Sequence, residues 1–142
     1  MKKPGNSREL DELKDLLSQE SEGRNPHLDS DLGAFRYIND ADKVKSHLPA
    51  GKILDWGCGL GQMTYLLKNR GLEAVSYDVD QSGRDFLERI GQTLVLATDP
   101  VKLPFTDGSF DAVLSSGVLE HVSDPAGSLK EVARTIKKGG YF

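Results

Sequence analysis

Three glycines at alternate positions, Gly57, Gly59 and Gly61, follow the run Ile53-Leu54-Asp55-Trp56 and lead into a helical pattern. Glycine at such a junction lets the chain turn with positive φ and lets a ligand approach where a Cβ would stand. In an open parallel sheet, ligands bind beyond the carboxyl ends of the strands near the topological switch point, where this loop belongs. A tight turn accounts for one or two glycines; three in alternation point to a ligand cradle. Spacing and charge then sort the ligands. The nicotinamide fingerprint G-x-G-x-x-G/A needs a small residue three after the second glycine, and that position is Gln62. Asp55, two residues before the first glycine, would repel a pyrophosphate and attract a cationic amino group. No G-x-x-x-x-G-K-[ST] pattern occurs, so a nucleoside triphosphate loop is not indicated. Cys58 lies inside the loop, where a small side chain is enough, and carries no redox or nucleophilic role.

The elements that must hold this loop follow from hydrophobic periodicity. Apolar runs at 53–56, 74–77, 93–97 and 112–114 read as strands, and amphipathic stretches at 61–70, 81–90 and 126–138 read as helices. Such alternation predicts an α/β fold with a parallel sheet and helices on its faces. Gly139-Gly140 is expected to end the last helix, and Tyr141-Phe142 to begin a fifth strand. Ahead of residue 51, Leu10, Leu13, Leu16 and Leu17 fall at helical spacing, with Asn6 and Glu9 as a capping box. A break at 23–26 precedes a second helical pattern through Phe35, Ile38, Ala41, Val44 and Leu48, which stops at Pro49-Ala50-Gly51. Residues 1–50 are therefore expected to form a helical cap or lid and 51–142 the core.

Composition bounds the function. The 142 residues have the length of one domain, and a domain of roughly 150 residues can bury a real core. A formal charge of −4 gives no basic footprint for a phosphate backbone, so nucleic acid is not indicated. No apolar run approaches the roughly 18 residues of a membrane span, and no apolar stretch follows the N-terminal lysines, so a cytoplasmic protein is expected. The single cysteine, Cys58, allows no intramolecular disulfide.

The glycine loop resembles motif I of class I S-adenosylmethionine-dependent methyltransferases, and the agreement continues in order. Val75-Ser76-Tyr77-Asp78-Val79-Asp80 resembles the family's second strand, whose terminal acid, here Asp78, holds the ribose hydroxyls. Residues 98–105 and 107–113 are similar to the D-A-x-x-L-P-F-x-D-x-S-F-D-x-V run of the methyltransferase type 11 branch, with Asp99 accepting from the adenine amino group. Ser115-Ser116-Gly117-Val118-Leu119-Glu120-His121-Val122 matches the strand end and helix start beneath the methionine portion, and residues 133–140 match R-x-L-K-P-G-G. The resemblance implies a Rossmann-like, doubly wound sheet in the order 3-2-1-4 with the fifth strand just begun. It places the cofactor against Asp55, Gly57, Cys58, Gly59, Gly61, Asp78, Val79, Asp99, Pro100 and Ser115. Pro100 stands where the family commonly offers a backbone N–H to adenine, so fewer direct bonds to the base are expected.

The reaction implied is transfer of the sulfonium methyl of S-adenosylmethionine to a nucleophilic atom of a small-molecule substrate, leaving S-adenosylhomocysteine. His121, the histidine of the motif region, is the candidate general base. Some relatives bind a metal through E-x-x-E-H, but the first glutamate position is Gly117 here, and no metal is expected. A cofactor-binding module without turnover is the alternative reading; a nicotinamide-dependent oxidoreductase is opposed by Gln62 and Asp55. In the family two more strands follow, so residues 1–142 are expected to leave one sheet edge uncovered: either the natural chain continues past Phe142 or this stretch self-associates through that edge, with turnover absent or very low.

Overall fold

Residues 7–18 and 31–142 are described by a computed structural model of the chain; Asn6 of the expected capping box and the break at 23–26 lie outside the described residues. The order is α1 (Ser7–Ser18), α2 (Asp31–His47), β1 (Lys52–Trp56), α3 (Gln62–Asn69), β2 (Glu73–Asp78), α4 (Arg84–Arg89), β3 (Leu94–Leu96), β4 (Phe110–Ser115), α5 (Pro125–Thr135) and β5 (Ile136–Tyr141). The strands form one sheet in the order β3-β2-β1-β4-β5, with every pairing parallel. The chain winds outward from β1 to β3, then returns to β4 on the other side of β1. The switch point therefore lies between β1 and β4, at the mouth of the glycine loop. This is the Rossmann-like arrangement expected.

Strand alternation sends neighbouring side chains to opposite faces. Ile53, Ala74 and Ala112 pack with Met63, Leu66 and Leu67 of α3, with Leu13, Leu16 and Leu17 of α1, and with Ala34, Ile38 and Ala41 of α2. Leu54, Trp56, Tyr77 and Val113 pack on the other face with Leu103, Phe110 and Val132 of α5. Residues 7–18 and 31–47 thus share one core with the sheet. Arg70, just past α3, ties them down: its guanidinium donates to Glu9 of α1 at 3.1 Å and to Asp42 of α2 at 2.7 Å.

The connection from β3 to β4 is long, and α5 holds it. Arg134 donates to the carbonyls of Phe105 and Leu103 at 2.8 and 3.0 Å and to Asp107 at 2.8 Å. Glu131, which also receives Arg134 at 2.8 Å, accepts the Leu103 N–H at 2.9 Å. These donors hold the Glu131 carboxyl down at about 2, the Arg134 guanidinium contributing most. The start of α5 is set by Asp124, whose carboxylate accepts the Gly127 N–H at 2.9 Å, followed by Pro125 in the first turn.

The boundaries at the C-terminal end differ from the periodicity. The last helix ends at Thr135 rather than 138, and β5 begins at once with Ile136 instead of at Tyr141. Gly139-Gly140 lies inside that strand. A Cβ on Gly140 would stand 2.6 Å from the Asp111 carbonyl oxygen, so glycine here permits close approach of β5 to β4. The register slips between the pairs Phe110–Ile136 and Ala112–Tyr141, and the bulge takes up the extra residues. The expected helix start around Glu120 and His121 is instead a turn closed by the His121 N–H on the Val118 carbonyl at 2.9 Å.

Candidate functional site

A cavity of about 550 Å³ opens at the switch point, lined by Trp56, Gly57, Gly59, Gln62, Tyr77, Asp78, Val79, Pro100, Val101, Leu103, Ser116, Gly117, Val118, His121, Val122, Ser123 and Ser128. That volume falls within the roughly 300–1,000 Å³ typical of small-molecule sites. Its walls come from the ends of β1 and β2, the loops after β3 and β4, and the first turn of α5.

The three loop glycines have three different neighbours. A Cβ on Gly57 would stand 2.2 Å from Val118 Cγ2, and one on Gly61 would stand 2.6 Å from Leu87 Cδ2 of α4. At Gly59, where φ is +54°, it would meet nothing nearer than Gln62 Oε1 at 4.0 Å, so this is the open point of the loop. The loop hangs from β2: the Gly57 and Cys58 N–H groups donate to the Tyr77 carbonyl at 2.8 and 3.1 Å, and the Gly59 N–H donates to Asp78 Oδ2 at 2.7 Å. The other Asp78 oxygen accepts the Asp80 N–H at 3.0 Å.

Of the residues singled out in the sequence, Gly57, Gly59, Asp78, Val79, Pro100 and His121 meet around this cavity. Asp55, Cys58, Gly61, Asp99 and Ser115 do not line it. Asp55 points to the α3 face, because alternation on β1 gives the cavity side to Trp56. There it is 4% exposed and accepts the Thr64 hydroxyl at 2.7 Å, and that hydroxyl also meets Ser76 at 2.8 Å. Burial, offset in part by Thr64, pushes the Asp55 carboxyl up to about 6. Cys58 turns away into a cluster with Leu87 and Leu94, where burial pushes its thiol up. Gly61 packs beneath α4. Asp99 Oδ1 accepts the Val101 and Lys102 N–H groups at 2.8 and 2.7 Å, which lowers its pKa and closes the turn carrying Pro100. Ser115 ends β4 opposite Trp56, and the cavity wall begins one residue later. Among the described residues no group of three metal-ligating side chains converges.

Three residues escaped the sequence reading. Gln62 counted there only as a break in a fingerprint, yet its side chain lines the cavity. Ser128 is 2% exposed and falls one turn before Val132, so a serine on the apolar stripe of α5 was the available signal. Gly83, which precedes α4, would place a Cβ 2.3 Å from the Gly59 carbonyl oxygen; its absent side chain lets α4 lie against the glycine loop. Among the described residues, the buried side-chain atoms left without a hydrogen-bond partner are Gln62 Oε1 and Ser128 Oγ, and both residues line this cavity. An open glycine, a rim carboxylate, apolar walls and two unsatisfied polar atoms fit a nucleoside carrying a polar tail.

A family described as "Methyltransferase domain" matches residues 54–142. An uncharacterized methyltransferase of Mycobacterium tuberculosis is 38% identical over 96 residues, covering 66% of this chain and 39% of its own length. A demethylmenaquinone methyltransferase of Mycolicibacterium gilvum is 35% identical over 112 residues, covering 77% of this chain and 48% of its own. A solved Pyrococcus horikoshii protein superposes with a TM-score of 0.67 at 25% identity, covering 81% of this chain and 58% of its own. A Methanococcus maripaludis structure shares the fold with the same TM-score at 21% identity, covering 73% and 52%. The chain spans less than half the length of these two curated relatives, 39% and 48%.

Proposed function

The chain belongs to the S-adenosylmethionine-dependent methyltransferases, and on that premise we propose that the cavity at the switch point binds S-adenosylmethionine for methyl transfer to a small-molecule acceptor. The observation that carries this reading is the glycine loop hung from Asp78 at the mouth of the cavity. Asp78 stands at the end of β2 with its carboxylate at the rim, suited to accept from ribose hydroxyls. Pro100, Val101 and Leu103 offer an apolar wall for a base, and Val79 covers the rim.

Bound there, the cofactor would supply an already activated methyl group. The chain's own residues then need to orient the partners and keep water out, a contribution worth several kcal/mol through alignment. His121, exposed on its turn at the cavity, is positioned to take a proton from an acceptor arriving from solvent. A small acceptor agrees with a net charge of −4, which gives no footprint for a phosphate backbone. No described helix is long and apolar enough to cross a membrane, which is consistent with a cytoplasmic enzyme.

Calorimetry with S-adenosylhomocysteine and with NAD tests the reading. The first should bind and the second should not. Asp78→Ala should weaken S-adenosylhomocysteine by about 1.5–3 kcal/mol, the range for hydrogen bonds to a charged group. NAD binding, or an unchanged affinity in the variant, would overturn it. A methyl-transfer assay separates the enzyme from the alternative of a binding module without turnover.

A further inference from the structure

We propose that the Gln62 amide oxygen, aimed by Tyr37 of α2, is the acceptor that reads the charged amino group on the cofactor's amino-acid tail. The inference rests on S-adenosylmethionine being the ligand, and it names a residue that binds the tail.

A buried acceptor without a partner is uncommon, because its desolvation goes uncompensated until a donor arrives. Gln62 Oε1 is such an atom, and an amide oxygen can only accept. The other end of the amide is already engaged, since Gln62 Nε2 donates to the Tyr37 hydroxyl at 3.2 Å. With the amide so held, its oxygen is the end left without a partner. The oxygen lies 4.0 Å from the position a Cβ on Gly59 would take, beside the open point of the glycine loop.

The competing acceptors are committed elsewhere. Asp55 is buried on the opposite face against Thr64, and Asp78, which accepts one N–H on each oxygen and keeps its remaining lone pairs at the rim, is taken by the ribose hydroxyls. Among the described residues, Gln62 Oε1 is thus the buried side-chain acceptor beside the loop that has no partner. The ligand class that satisfies it carries a strong donor beside a nucleoside, which an α-ammonium provides. Tyr37 is a positioning residue here. Through it, α2 becomes part of the binding site although it lies outside the sheet.

The test compares S-adenosylhomocysteine, which has the amino-acid tail, with 5′-methylthioadenosine, which lacks it, by calorimetry on the wild-type chain and three variants. Gln62→Leu should weaken S-adenosylhomocysteine by about ten-fold or more while leaving methylthioadenosine unchanged. Gln62→Glu should bind S-adenosylhomocysteine at least as tightly as wild type, since it keeps the acceptor and adds a charge opposite the ammonium. Tyr37→Phe should give a smaller loss, confined to the tailed ligand. If Gln62→Glu binds more weakly than Gln62→Leu, the amide presents its NH₂ to the tail carboxylate and the proposal is overturned. Equal losses for both ligands in Gln62→Leu would also overturn it, as a disturbance of the loop. A wild-type chain that binds methylthioadenosine but not S-adenosylhomocysteine sinks the proposal alone, whereas one that binds neither sinks the cofactor reading beneath it.

Discussion

Asp55 lies away from the cavity and Gln62 lines it, the reverse of what their residue types suggest. An acid before a glycine loop reads as a partner for a cation, yet Asp55 is enclosed with Thr64 and Ser76 on the far face of β1. Both faces of this sheet are covered, so alternation alone cannot tell which face of β1 adjoins the ligand. The burial has a measurable consequence. With its folded pKa raised to about 6 against an ordinary 3.8, Asp55 binds more protons in the folded chain than in the unfolded one between those values. Its contribution to stability is thus greatest below about pH 4 and is lost as pH rises toward about 6, by roughly 3 kcal/mol for a two-unit difference. Asp55→Asn removes the titrating group, so urea melts of wild type and variant should diverge across that window in favour of the variant and run parallel above it. A constant difference from pH 4 to 7 would show that Asp55 does not titrate there. Pro100 is a second residue whose type matters, because it faces the cavity without an N–H. Pro100→Ala should tighten S-adenosylhomocysteine by up to about 1 kcal/mol, one net hydrogen bond, as read by calorimetry.

At the level of elements, the alternation of short apolar runs with amphipathic stretches located β1 to β4 and α3 to α5 to within a few residues, but not β5. The misreading at 136–140 has a clear physical origin. Gly-Gly after a helical pattern usually marks a helix stop, but here it serves a crowded strand, a distinction that depends on Asp111 lying alongside. Gly83 was invisible for the same reason, since its neighbour is the Gly59 carbonyl, far away in sequence. Gly83→Ala should force α4 off the glycine loop, costing about 1–3 kcal/mol as overpacking and weakening the cofactor in parallel. Gly71→Ala provides the comparison: it meets nothing within 4 Å and has only its φ of +77° to strain. Thermal melts and calorimetry should show lost stability in both variants but lost affinity only in the first. On the other side of α3, Arg70 joins Glu9 and Asp42 with its side chain only 13% exposed. Arg70→Ala should cost about 2–3 kcal/mol, less than a fully buried pair because Asp42 stays in water. Hydrogen exchange should rise selectively in α1.

For the whole molecule, strand–helix alternation established a parallel sheet, but the order β3-β2-β1-β4-β5 came from the resemblance, since periodicity does not say on which side of β1 the fourth strand inserts. The cavity depends on that choice, because it exists only where β1 and β4 are neighbours carrying loops in opposite directions. In this order β5 is an edge strand, and its last residue Tyr141 and the following Phe142 are 52% and 60% exposed. Unpaired edges recruit other strands. The 142-residue chain is therefore expected to sediment as concentration-dependent oligomers, and a single monomeric species across a hundred-fold dilution would contradict this. The Arg134 cluster bears on a different matter, the exchange of segments between relatives. Because Arg134 and Glu131 grip the backbone at 103 and 105, the loop entering β4 and the helix leaving it form one inheritable block. A hybrid that crosses over between residues 107 and 131 would pair one parent's clasp with the other parent's loop. Crossovers before residue 98 would keep the block whole, so functional chimeras should have their junctions there.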